Sequence, residues 1–99
     1  MKFNIISYGE FFDIPRMINC HSEDKVYYFH CEMNPIIGNY SEKFKIFLFS
    51  MPLDDFIDRK YRIEIKEFVG EVFVSEMQFD ATKRKSFEVS DKNEIFLTT

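Results

Sequence analysis

Cys20-His21 and His30-Cys31 form a palindromic set of side chains whose types suit a zinc ion. Their spacing does not. Adjacent residues on a strand point to opposite faces, so neither Cys–His pair converges on one ion. With a turn at residues 21–24, Cys20 falls opposite about Lys25 and Cys31 opposite about Ile14. That is too far along the hairpin for a disulfide, so both cysteines are expected as buried, apolar thiols. Cys–His or Ser–His–Asp catalysis also needs an orienting group and an oxyanion site. No local motif supplies them. Gly9, Gly38 and Gly70 are the only glycines, and they form no phosphate-binding loop.

Asp54, Asp55 and Asp58 cluster where a helix is predicted to begin. Paired carboxylates could act as a general acid and base or hold a hard cation. The same placement suits a solvated first turn at the positive end of the helix dipole. It also suits an acidic docking patch for a basic partner. Lys83-Arg84-Lys85 is one short basic run in an acidic chain, and reads as a solvated loop rather than a phosphate site. Arg16 lies between Ile14 and Ile18 on an apolar register. A guanidinium there needs a carboxylate or carbonyl partner, because an unpaired buried charge is costly. Asp80 is the candidate for a structural ion pair with Arg16; Glu10 and Asp13 are nearer in sequence.

These few reactive side chains sit in a chain built for packing. Its 99 residues contain thirteen phenylalanines and five tyrosines, against two histidines, two cysteines and no tryptophan. The length fits a single domain, residues 1–99, with one core and no need of staples. The net charge of −4 argues against a general nucleic-acid binder. It suits either simple solubility or a basic protein partner. No apolar run approaches the roughly 18–20 residues that span a bilayer. The first residues do not read as a signal peptide, and two cysteines make no disulfide scaffold. A cytoplasmic location is the expectation.

The elements follow from periodicity. Residues 3–8 form a short first strand. Phe12, Ile14, Ile18 and Cys20 share one face of a second, with Pro15 marking an edge or a bulge. Residues 25–33 are a third strand, paired with the second as a hairpin. Residues 34–39 break the pattern. Residues 43–51 are apolar on both faces, as a central strand covered on both sides would be. Over residues 53–69, Phe56, Ile57, Tyr61, Ile65, Phe68 and Val69 follow helical spacing, and Gly70 suits a helix stop. Alternation of Tyr61, Ile63 and Ile65 makes a strand the alternative. Residues 71–80 return to strand, and Phe87, Val89, Ile95 and Leu97 suit a final hairpin across residues 91–93. The expected fold is α+β, a curled and mainly antiparallel sheet of about five strands with one covering helix. A small, partly open β-barrel is the alternative.

Phe11-Phe12-Asp13-Ile14-Pro15-Arg16 and Phe79-Asp80-Ala81-Thr82-Lys83-Arg84-Lys85 carry a resemblance. The arrangement resembles small uncharacterised bacterial proteins with an aromatic-Asp-x-Pro-Arg segment early and a Phe-Asp-x-Thr-Arg/Lys-Arg segment late. That resemblance implies no activity and no catalytic residues. In size, acidity and lack of chemistry the chain also resembles immunity proteins of bacterial toxin–immunity systems. Those bind one toxin domain, often a basic nuclease, and block its active site.

The functional expectation is a non-catalytic binding protein that needs no cofactor and no metal. Its partner would be a cognate protein such as a basic toxin or nuclease domain. The expected surface comprises Asp54, Asp55, Asp58, Glu64 and Glu67, with Tyr28 and Tyr40 as aromatic anchors. The alternatives are a homo-oligomeric scaffold that uses sheet edges or aromatic patches, and a small hydrolase built on the carboxylates.

Overall fold

A computed structural model describes residues 1–58 and 66–90. The expected strand at Ile95 and Leu97, and the contested residues Tyr61 to Ile65 with Glu64 among them, lie outside the described residues.

Strand β1 (Lys2–Phe12) turns at Asp13 into β2 (Ile14–Ser22), which turns at Glu23 and Asp24 into β3 (Lys25–His30). Asp13 and Glu23 take φ of 64° and 54°, the left-handed conformation that tight hairpin turns demand. A small hairpin of β4 (Met33–Asn34) and β5 (Asn39–Tyr40) follows, then β6 (Lys43–Pro52) and α1 (Leu53–Asp58). The remaining elements are β7 (Lys66–Phe73), a 3-10 turn (Val74–Glu76), β8 (Met77–Phe79) and β9 (Ser86–Val89).

Among the described residues the main sheet has seven strands in the order β7-β6-β3-β2-β1-β9-β8, and each neighbouring pair is antiparallel. This exceeds the expected count of about five. Residues 71–80, expected as one strand, are divided by the 3-10 turn between β7 and β8. Phe87 and Val89, expected in a final hairpin with Ile95 and Leu97, lie in β9 between β1 and β8. The helix expected over residues 53–69 exists as α1, but Lys66–Phe73 is strand. Gly70 therefore stops no helix. It pairs with Ile46 while Phe68 pairs with Phe47, so Val69 is an extra residue in a bulge. Gly70 has φ of 151°, which L side chains rarely adopt, and a bulge is where a strand tolerates such a glycine.

Curling of the sheet is forced by one connection. Strands β7 and β8 are its opposite edges, yet the three-residue turn Val74–Glu76 joins them. Seven flat strands would place those edges roughly 29 Å apart. The link from Phe73 to Met77 reaches at most about 14 Å. The sheet closes into a half-barrel, and Val72 of β7 and Met77 of β8 join the same core cluster.

Phe3 organises the concave side. Its ring lies 5.3 Å from that of Tyr27, 5.1 Å from Phe29 and 5.2 Å from Phe87. Ile18, Cys20, Cys31, Phe44 and Ile46 complete the enclosed cluster. On the convex side, Phe56 of α1 packs at 5.0 Å on Phe49 of β6 and meets Val26 of β3. The expectation that residues 43–51 form a central strand apolar on both faces is met by β6, with Phe44 inside and Phe49 beneath the helix.

Candidate binding surface

The β4–β5 hairpin is a separate two-stranded sheet held by backbone pairing and by a side-chain bond. Met33 pairs with Tyr40 and Asn34 with Asn39. The Gly38 N–H donates to the Asn34 carbonyl at 2.9 Å, and the Ile36 N–H donates to Asn34 Oδ1 at 2.9 Å. The Ser41 N–H closes the base by donating to the Glu32 carbonyl at 2.8 Å. Gly38, with φ of 67°, supplies the left-handed position of the turn. This bonding fixes a loop whose apolar tips face water. Ile36 is 92% exposed and Ile37 69%, with Met33 beside them at 52%. In the sequence, residues 34–39 only break the strand pattern. The Asn-Pro and Gly-Asn pairs there were the available turn signal.

Beside this hairpin lies the mouth of the half-barrel, a cleft of about 540 Å³ lined by Arg16, Tyr40, Ser41, Glu42, Phe73 and Ser75 among others. Arg16 sits partly buried at its wall. The expected Arg16–Asp80 ion pair is not formed. Arg16 Nε donates to the Phe12 carbonyl at 3.2 Å, Nη1 donates to Cys31 Sγ at 3.5 Å, and the guanidinium carbon stands 4.6 Å from the Tyr40 ring centre. Stacking on an aromatic face replaces the carboxylate. Phe12 packs on the same ring at 5.7 Å.

Asp80 is spent on its own loop. Its Oδ1 accepts from the Thr82 N–H at 3.0 Å and from the Thr82 hydroxyl at 2.9 Å, and its Oδ2 accepts from the Ser86 N–H at 2.9 Å. Desolvation pushes the carboxyl upward, but hydrogen bonds from the Thr82 hydroxyl and from backbone amides outweigh it and hold Asp80 below its ordinary value. Lys83-Arg84-Lys85 is the exposed rim of this loop, and the Arg84 guanidinium lies 5.5 Å from the Phe11 ring centre and 5.9 Å from that of Tyr8.

The residues expected to form one partner surface are divided. Asp54, Asp55 and Asp58 are exposed on α1, which is tied down where the Leu53 N–H donates to the Asp24 carbonyl at 3.1 Å. Tyr28 faces the same convex side, but Lys66 Nζ lies 5.2 Å from its ring centre and stands over it as a lid. Burial, then the charge of Glu10, pushes the Tyr28 phenol up. Glu67 is exposed and pairs with Leu48, whose side chain joins the inner cluster, so Glu67 projects away from the convex face. Tyr40 is at the far end of β3 from α1, at the mouth. Phe68 and Phe73 are exposed on the edge strand β7, although their spacing in the sequence suits the helix and the following strand and gives no sign of a surface role.

The cysteines do not meet. Cys20 pairs with Tyr27, because the turn is Glu23 and Asp24 alone and not residues 21–24. The Cys31 N–H instead donates to the Arg16 carbonyl at 2.8 Å. Both thiols are free and buried. Burial pushes both up; at Cys31 it prevails over the Arg16 contact, which works the other way. Among the described residues, no group of three or more His, Cys, Asp or Glu side chains is placed to hold a metal ion. No described helix is long and apolar enough to cross a membrane. Compared with known protein families, curated proteins and solved structures, the chain matches none.

Proposed function

We propose that this chain is a non-catalytic binding protein that covers a protein partner, in the manner of an immunity protein that neutralises a toxin domain. The observation that carries the reading is the β4–β5 loop, where Ile36 and Ile37 are held out into water by bonds that restrict their backbone. Ordered, exposed apolar residues flanked by polar ones are what a protein interface core requires. A loop already fixed in shape loses little entropy on docking. The net charge of −4 and the exposed carboxylates of α1 favour a basic partner.

The test is co-expression with the C-terminal domain of a large secreted protein encoded immediately upstream. A one-to-one complex that restores growth supports the reading. Ile36→Asp with Ile37→Asp should abolish the complex and leave the melting temperature unchanged. A complex indifferent to both changes, or no complex and no rescue, would count against it.

Self-association is the second reading, and a different observation favours it. Strand β7 is a sheet edge, pairs only with β6 among the described strands, and carries exposed Phe68 and Phe73. A mass that rises with concentration, and falls when Phe68 is replaced by lysine, would favour it. A hydrolase built on Asp54, Asp55 and Asp58 has less support, because these side chains project into water rather than into a site that excludes it.

A further inference from the structure

Arg16 makes the mouth of the half-barrel more than an opening. Its guanidinium has spent Nε on the Phe12 carbonyl and one Nη1 proton on the Cys31 sulfur, a weak acceptor. The Nη2 group has no acceptor among the described residues, and no described ion pair includes Arg16. Stacking against Tyr40 at 4.6 Å occupies the face of the guanidinium and leaves its edge available. That edge borders the cleft of about 540 Å³, a size that accepts a small organic molecule.

We propose that this mouth binds a monocarboxylate bearing an aromatic or aliphatic group, with the carboxylate on Arg16. A planar fork of N–H donors matches the two oxygens of a carboxylate. Phe73 and Val74 supply an apolar wall, and Ser41 and Ser75 bring hydroxyls to the same cleft. Glu42 also lines it, and its negative charge repels a dianion such as phosphate more strongly than a monocarboxylate. The shared chemistry is that of a free hydrophobic acid and of a peptide C-terminus ending in an apolar residue. The site stands independently of the Ile36-Ile37 loop and would remain if that loop bound nothing.

The experiment is an NMR titration of amide resonances with 3-phenylpropionate, with its neutral analogue 3-phenylpropan-1-ol, and with acetyl-Gly-Gly-Phe as acid and as C-terminal amide. Either acid should give saturable shifts at Tyr40, Ser41 and Ser75, while the alcohol and the amide should not. Binding of the peptide acid alone identifies a chain terminus as the source; binding of phenylpropionate identifies a small acid. Arg16→Lys should weaken binding roughly tenfold, because the charge stays and the fork is lost. Phe73→Ala, at an exposed position, should weaken it in a chain that still folds. Equal shifts from acid and alcohol, shifts confined to other surfaces, or none at about 10 mM acid would overturn the proposal.

Discussion

The rings of Phe3 and Phe87 stack 5.2 Å apart with 14° between their planes, on β1 and β9, which pair antiparallel. This contact joins the hairpins that begin the chain to a strand formed much later. The same Phe3 ring meets Tyr27 and Phe29 edge-on, so one side chain is shared by strands β1, β3 and β9.

Phe3→Ala should therefore lower unfolding free energy by about 3–5 kcal/mol, the usual cost of emptying a fully enclosed aromatic site. Urea denaturation measures it. A loss under about 1 kcal/mol would mean that the half-barrel collapses freely around the gap.

Asp80 makes stability depend on acid. Its folded pKa is depressed below the ordinary value of 3.8, so its contribution is complete above that value. It is lost as pH falls through the lower, folded pKa. Asp80→Asn should flatten this acid slope in thermal melts. Because Arg16 and Asp80 share no contact, the effects of Arg16→Lys and Asp80→Asn should add. Strong coupling between them would restore the ion pair that the geometry denies.

Cys20 and Cys31 should resist thiol reagents at neutral pH in the folded protein, since burial raises both and each side chain is fully enclosed. Labelling with Ellman's reagent should follow unfolding by urea. Prompt labelling of the native chain would show that the core opens.

Gly70→Ala should cost about 1–3 kcal/mol, because its φ of 151° lies where an alanine is strained. The loss should appear as faster hydrogen exchange along β6 and β7. Unchanged exchange would mean that the bulge can shift its register.

Reversing Asp54 and Asp55 to lysine should slow association with a basic partner several-fold and reduce its salt dependence, with little change in dissociation. Stopped-flow mixing at two ionic strengths measures it. Unchanged association would remove α1 from the encounter surface.

Strands β2, β3 and β6 are legible because their apolar residues alternate, and in β6 they occupy both faces. Strand β1 runs past the expected residues 3–8 to Phe12, and the β4–β5 hairpin falls where only a break is expected. Phe68 and Val69 were misread because their positions after Phe56 also fit a helical period, and Gly70 can end a helix or ease a bulge. Only pairing with Phe47 and Ile46 decides between those roles. Arg16 was correctly placed on an apolar register, but its partner was not deducible. Tyr40 reaches it from the end of β5, a contact that no local pattern encodes. The exposed pair Ile36-Ile37 was missed because apolar residues in a turn carry no periodic signal.

Strand β1 has β2 on one side and β9 on the other. While the ribosome is still extending the chain, β1 through β3 can pair, but one flank of β1 stays bare and Phe3 and Phe29 lack their Phe87 neighbour. Native structure cannot be completed from the N-terminus onward as synthesis proceeds. The emerging aromatic surface must stay shielded, by chaperones or by loose collapse, until residues 86–89 leave the exit tunnel.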